Sequence, residues 1–353
     1  MKNTVIILVF LFASSVVFGQ NIKNVIVKGD IKKAQKWLNK GENLDQLLNV
    51  TTRAGNNFSL HPLEYASVRQ KFDIAKLFVE NSDKFNTIQN YYNSAFSSTI
   101  HFNNIDFTKY MLNKGVDVNM YCNTCHNAPP IAIALEYNLF DIYNLLLQEG
   151  AHLVNEDAGY DVIYAAGGCD SLPLLKHLVE VEKLNIESAN KYGATPLFNA
   201  FINGKIENAK YLISKGADIS KKDLKGHSIL YYASNYETFK YADELLKENK
   251  ISADPSDPGL IVGKDDINLF DYYVTNYTDK LKIKSKSEGE EGEDIFFGFL
   301  YSDSNINDEY FLQKLKSLNL SPKPDNNGKT AFYYVKKSKE KELIKLFEKY
   351  FDL

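Results

Sequence analysis

One unit of about 33 residues recurs along this chain, and that period constrains the fold more than any other feature of the sequence. Residues 193–219 show the unit best and read GATPLFNAFINGKIENAKYLISKGADI. A turn glycine precedes Thr-Pro-Leu, a first apolar helix follows until Gly204, and a second helix runs to Gly216. A unit this short cannot bury its apolar stripe alone, so repeated units must stack on one another.

The same register appears in many other parts of the chain. Pro62, Pro130 and Pro196 are separated by 68 and 66 residues, which is two units each time. Four predicted second helices end on a glycine and read alike: IKKAQKWLNKG, IDFTKYMLNKG, FDIYNLLLQEG and IENAKYLISKG. Apolar residues recur in them at helical spacing, which gives each helix one buried stripe. The pattern therefore predicts about ten helix-turn-helix units.

The Gly-x-Thr-Pro-Leu opening and the Gly-Ala-Asp ending of residues 193–219 resemble the ankyrin repeat. The resemblance implies an all-α solenoid of about ten helix-turn-helix units with short hairpin loops over residues 20–353. Well-matched repeats cover about 20–250, degenerate repeats about 251–321, and a charged C-terminal capping repeat about 322–353. The family's histidine after Thr-Pro-Leu is absent here, and we expect tyrosine packing to replace its hydrogen bonds between repeats.

Residues 1–19 predict export. The chain begins MKNTVIILVFLFASSVVFGQ, with one lysine, an apolar run from Val5 to Phe12 and small residues before Gln20. This order is typical of a secretory signal peptide, cleaved near Gly19–Gln20. Because the apolar run is shorter than the ~20 residues that a spanning helix needs, we expect no membrane span after cleavage. The predicted location is secreted or periplasmic.

Composition and motifs argue against several classes of function. The formal net charge of −4 is spread along the chain and gives no reason to expect nucleic acid as a partner. Three cysteines are too few for a disulfide-dense scaffold. GxSxG, P-loop, HExxH and Rossmann motifs are absent, and the six histidines are scattered. We therefore predict no enzyme, no catalytic residue, no metal and no cofactor, and we expect a monomer.

Residues 121–130 read YCNTCHNAPP, which contains the spelling that attaches a c-type haem. In the repeat register this stretch is a hairpin tip enlarged by two residues. A disulfide between Cys122 and Cys125 is favoured, because exported thiols oxidise and closing this loop stabilises by about 2 kcal/mol. A haem or redox site that uses these cysteines and His126, a metal site, and free thiols stay open. We expect Cys169, in GGCD, to be an unpaired thiol near the surface.

The family resemblance implies a binding module, since ankyrin arrays bind partner proteins with their hairpin tips and the concave ends of their first helices. The matching positions in this sequence are Tyr121, Glu136, Tyr137, Lys191, Tyr192, Ile202, Asn203, Lys225, His227, Asn235 and Tyr236. Exposed tyrosines beside asparagines suit a protein interface. The predicted function is therefore non-enzymatic binding of another protein. A haem- or redox-linked protein and a structural envelope scaffold are the alternatives.

Overall fold

A computed structural model describes most of the chain between Gln20 and Phe351. The described residues are 20–42, 44, 46–51, 57–82, 89–121, 128–154, 161–252, 266–277, 296, 308–324, 327–338 and 340–351. The fold has two compact units, unit 1 at Met1–Lys191 and unit 2 at Tyr192–Leu353. The predicted signal peptide lies outside the described residues, and the predicted boundaries near residues 250 and 321 stay predictions.

Unit 1 is built from short helices that follow one another in pairs. Its described helices are α1 (Gln20–Lys28), α2 (Ile31–Leu38), α3 (Pro62–Val68), α4 (Phe72–Glu80), α5 (Gln89–His101), α6 (Ile105–Asn113), α7 (Pro130–Glu136), α8 (Phe140–Gln148), α9 (Val162–Gly168) and α10 (Leu172–Glu180). Within each pair the two helices contact one another, and first helices also contact the first helices of neighbouring pairs, as α3 does with α5 and α7 with α9. Consecutive pairs therefore bury their apolar sides against each other, as stacked repeats must.

Unit 2 continues the same construction. Its described helices are α11 (Pro196–Ile202), α12 (Ile206–Ser214), α13 (Ile229–Tyr232), α14 (Tyr236–Glu248), α15 (Ile267–Asn276), α16 (Asp308–Ser317), α17 (Ala331–Ser338) and α18 (Lys341–Tyr350). The first helix α11 contacts both its own second helix α12 and the next first helix α13. Further along, α14 contacts α15, and α18 contacts both α16 and α17.

The helices begin and end where the repeat register predicts. Pro62, Pro130 and Pro196 are each the first residue of a helix, a position where proline loses no helical hydrogen bond. The four second helices read from the sequence are confirmed as α2, α6, α8 and α12. Gly216, two residues beyond α12, has φ +95°, a left-handed conformation that glycine adopts without a Cβ penalty.

One strand pair accompanies the helices in the described residues. Strands β1 (Leu48–Thr51) and β2 (Asn57–Leu60) pair antiparallel, with Leu48 opposite Leu60 and Val50 opposite Phe58. Leu48 and Val50 are buried, so one face of β1 packs inward. This ribbon lies between α2 and α3, where a hairpin loop was predicted. The all-α class is confirmed, with one hairpin loop extended into paired strands.

Two positions test finer expectations about packing. Tyr164 stands where the family has its histidine, and its side chain is hydrogen-bonded to Asn190. Because these residues lie 26 positions apart, a tyrosine does connect successive repeats at this site.

The expectation that Cys169 lies near the surface is wrong, since this residue is fully buried. Its Sγ accepts a hydrogen bond from the Ser171 backbone at 3.4 Å, inside the turn that joins α9 to α10.

Candidate functional site

Two neighbouring hairpin tips of unit 2 are joined through their backbones. The Leu224 N–H donates to the Tyr192 carbonyl oxygen at 3.0 Å. Gly193 has φ +82°, and a Cβ placed on it would lie 2.9 Å from the Leu224 nitrogen. Only glycine therefore permits this close approach. The backbones of Tyr192 and Leu224 are held side by side, although the two residues are 32 positions apart in the sequence.

A buried aspartate organises the second of these tips, residues 221–227, which we name the Leu224 tip. The Asp223 side chain is buried, and its Oδ1 accepts hydrogen bonds from the backbone N–H groups of Lys225 and His227, both at 2.8 Å. Its Oδ2 accepts from the Tyr232 hydroxyl at 2.6 Å and lies 2.9 Å from His227 Nδ1. One carboxylate thus holds the turn backbone and two side chains together.

The charge of Asp223 and the stacked rings of His227 and Tyr231 stabilise this arrangement. Burial alone would raise the pKa of Asp223, but hydrogen bonds from Tyr232 and His227 outweigh burial and lower it below the ordinary value. The carboxylate is therefore ionised at neutral pH. The His227 ring stacks on Tyr231 with centroids 3.8 Å apart and planes 7° apart. The backbone of the Leu224 tip is therefore preorganised, and a preorganised surface loses less conformational entropy when it binds.

The sequence-predicted binding residues differ in exposure. Glu136, Lys191, Tyr192, Asn203 and Lys225 are exposed. The half-buried ones are Tyr121, Tyr137, Ile202, His227, Asn235 and Tyr236. Those up to residue 191 belong to unit 1 and the others to unit 2, so they do not form one continuous site within either unit. Cys122, Cys125 and His126 lie outside the described residues, and their disulfide, haem and metal interpretations stay predictions.

Unit 2 brings four of the predicted residues to one place, where first helices end. Ile202 is the last residue of α11 and Asn203 follows it, while Asn235 and Tyr236 begin α14. A Cβ at Gly204 would lie 2.6 Å from Asn235 Nδ2, so the two turns touch.

Asn235 and Tyr236 also have structural roles at the start of α14. Asn235 Oδ1 accepts from the Thr238 N–H at 3.0 Å and caps the helix. The Tyr236 N–H donates to Asp266 Oδ2 at 2.7 Å, and its ring meets Tyr272 edge-on at 5.7 Å. Substitutions at these two residues would therefore disturb the fold as well as a binding surface.

In unit 1, Tyr137 packs against an unusual histidine. The ring of His101, at the end of α5, lies 4.3 Å from the Tyr137 ring. Neither ring nitrogen of His101 has a hydrogen-bond partner among the described residues. Burial lowers the pKa of His101, because a buried imidazolium would lose its hydration.

We expect unit 1 to lose stability as the pH falls from about 6.5 through the lowered pKa of His101. The unfolded chain binds a proton there before the folded chain does, so acid favours unfolding. The fluorescence of Trp37, the only tryptophan and a buried residue of unit 1, measures this during urea unfolding at several pH values. His101→Phe should flatten the dependence, whereas exposed His177→Gln should leave it. An equal slope in His101→Phe and the wild type would contradict this assignment.

Leu224 is a binding candidate that the sequence reasoning missed. Its side chain is 80% exposed, the highest value among the large apolar residues described, and its neighbour Tyr192 is 49% exposed. A signal was available in the segment KKDLKG, where one leucine stands among charged residues outside any helical stripe. The signal is weak, because an apolar residue in a turn is as consistent with burial as with exposure.

The described residues offer neither a metal site nor a membrane-spanning helix. No group of three or more His, Cys, Asp or Glu side chains there is placed to hold a metal ion. None of the described helices is both long and apolar enough to cross a lipid bilayer.

Comparison with known proteins identifies the repeat. Residues 162–257 match the family model described as Ankyrin repeats (3 copies). The chain is 33% identical over 118 residues to alpha-latrocrustotoxin-Lt1a of Latrodectus tredecimguttatus, a match that covers 33% of this chain and 8% of the toxin. It is 31% identical over 125 residues to putative ankyrin repeat protein FPV031 of fowlpox virus, covering 34% of this chain and 36% of that protein. The crystal structure of the human ASB11 ankyrin repeat domain aligns at 20% identity with a TM-score of 0.40, over 60% of this chain and 90% of that domain.

The matched segment agrees with the helices. Residues 162–257 begin at the first residue of α9 and contain three helix pairs, α9–α10, α11–α12 and α13–α14. The same unit, with a proline at the first helix and a glycine after the second, occurs again at α7–α8. These matches span only a small part of the curated relatives, so they identify the repeat and not those proteins' activities. Residues 162–257 of this chain are ankyrin repeats.

Proposed function

We propose that this protein is a non-enzymatic, exported binding protein that holds a partner protein through its hairpin tips and the ends of its first helices. Ankyrin repeats are in general protein–protein interaction modules, and that general role is the starting point. The observation that carries the proposal is the pair of exposed residues Tyr192 and Leu224, whose backbones are hydrogen-bonded to each other across two neighbouring tips. Export rests on the sequence of residues 1–19 alone.

Leaving the side chains of Tyr192 and Leu224 exposed does not stabilise the fold. Tyr192 and Leu224 are more exposed than nearly all other large apolar residues described, and burying them against a partner would remove apolar surface from water. Aromatic residues at rigid positions are typical centres of protein interfaces, because little entropy is lost when they bind. The absence of catalytic motifs from the sequence is consistent with a binding role.

Photocrosslinking in the native host tests the proposal. A photoreactive amino acid is placed at Tyr192 or Lys225, and as controls at exposed Glu244 of α14 and exposed Lys109 of α6. We expect one adduct, identified by mass spectrometry, from the two tip positions and from neither control. The purified partner should then bind the full chain saturably and bind Tyr192→Ala about tenfold more weakly. Adducts of equal yield from all four positions, or binding unchanged by Tyr192→Ala, would reject the proposed site.

A further inference from the structure

The Leu224 tip places its most exposed apolar side chain among lysines. Lys222 and Lys225, on either side of Leu224 in the sequence, are both exposed. Residues 221–227 contain three lysines and one acidic residue, although the chain as a whole has a net charge of −4. The tip therefore carries a local positive charge on an acidic protein.

The acidic side chains in and before the tip offset only part of that charge. Asp223 is buried, and its carboxylate accepts hydrogen bonds from the turn and from Tyr232 beneath it. Asp218 accepts from both the backbone and the hydroxyl of Ser220, at 2.8 and 2.6 Å. Glu207 lies on α12 and pairs with Lys210 at 2.8 Å. Lys222 and Lys225 are exposed beside Leu224, while the Asp223 carboxylate is buried beneath them and offsets part of their charge.

Position and charge together indicate what this tip binds. We infer that the Leu224 tip recognises an acidic segment of a protein that also presents an apolar side chain, which covers Leu224 and Tyr192. Carboxylates of that segment would lie against Lys222 and Lys225, giving electrostatic steering and register. The buried contact at the centre would supply most of the affinity. This inference rests on the proposed function and names the chemistry of the partner.

Selection from a random peptide library tests the inference without knowledge of the natural partner. Linear peptides displayed on phage are selected on the full chain, and the enriched sequences are synthesised and titrated by fluorescence anisotropy. We expect a consensus rich in Asp and Glu around one aromatic or aliphatic residue, with affinity that falls as salt is added. Leu224→Ser should weaken binding about tenfold or more, and the double change Lys222→Glu with Lys225→Glu should do the same.

Matched variants elsewhere separate a local contact from a general effect. Val181→Ser removes another exposed apolar side chain, 63% exposed in unit 1. Lys32→Glu with Lys36→Glu makes the same change in net charge on exposed positions of α2. Both controls should bind like the wild type. The tip variants should also unfold at the wild-type temperature, because the altered side chains are exposed.

The outcomes decide between the inference and the proposed function. A consensus without acidic residues, or acidic peptides whose affinity is unchanged in the tip variants, overturns the inference. If affinity is lost only on replacing Asn203, the inference fails and the proposed function stands. If no peptide is selected and photocrosslinking also gives no tip-specific adduct, both fail.

Discussion

Replacing Asp223 with alanine is expected to lower the free energy of unfolding of unit 2 by about 3 kcal/mol. The change removes the acceptor for two backbone N–H groups and for the Tyr232 hydroxyl, and it also removes the partner of His227. Partly buried donors that lose an ionised acceptor cost more than ordinary surface contacts do. Urea unfolding of the full chain, followed by far-UV circular dichroism, measures the loss.

Asp218→Ala is the matched control, because Asp218 is an exposed aspartate at the preceding turn with Ser220 as its hydrogen-bond partner. We expect this control to cost less than about 1 kcal/mol. Asp223→Asn should lie between the two, since an amide oxygen can still accept hydrogen bonds but carries no charge. If Asp223→Ala and Asp218→Ala lowered the free energy of unfolding by the same amount, Asp223 would not organise the tip.

The second large effect is expected at Asp243, whose replacement by alanine should cost about 2 kcal/mol or more. Its side chain is 3% exposed and accepts hydrogen bonds from the hydroxyls of Tyr272, at 2.9 Å, and Tyr277. Lys247 Nζ lies 2.7 Å from Oδ2. Burial, and then the hydrogen bond to Asp243, raise the pKa of both tyrosines, which therefore stay protonated as donors. The carboxylate joins α14 to α15.

Lys247→Ala distinguishes the phenols from the ion pair. The lysine side chain is largely exposed, and an exposed ion pair contributes at most about 1 kcal/mol. We therefore expect a small loss for Lys247→Ala and a large one for Asp243→Ala in the same urea titration. Equal losses would show that the ion pair, and not the two tyrosine hydroxyls, holds the carboxylate.

The repeat register could be predicted from the sequence because it depends on local chemistry. A proline at the first helical position and a glycine two residues past a helix each follow from backbone geometry. For this reason the starts at Pro62, Pro130 and Pro196 are confirmed. The ribbon of β1 and β2 was not predicted, since pairing between strands depends on which residues face the core. Cys169 was misplaced for the same reason, because a turn residue in the sequence can be buried by a neighbouring repeat.

The candidate site shows the same division. The family register brought attention to Tyr192, Lys225 and His227, and all three lie on adjoining tips of unit 2. Leu224 was missed, although it is the most exposed large apolar residue described. The charged segment around it hinted at exposure, but the tertiary structure decided it, because Asp223 and not Leu224 turns inward.

The sequence by itself determined the repeat period, the helix starts at prolines, the helix class and the resemblance to ankyrin repeats, because these depend on spacing and backbone preference. Only the tertiary structure decided which polar groups are buried and which apolar ones are not. Asp223 and Asp243 are charged residues with no local mark of burial. Asp223 is held within its own repeat, by the turn backbone and by the hydroxyl of Tyr232 nine positions on. Asp243 accepts from the hydroxyls of Tyr272 and Tyr277, which meet it only when α14 packs on α15, since the cost of burying a charge is met by contacts between elements.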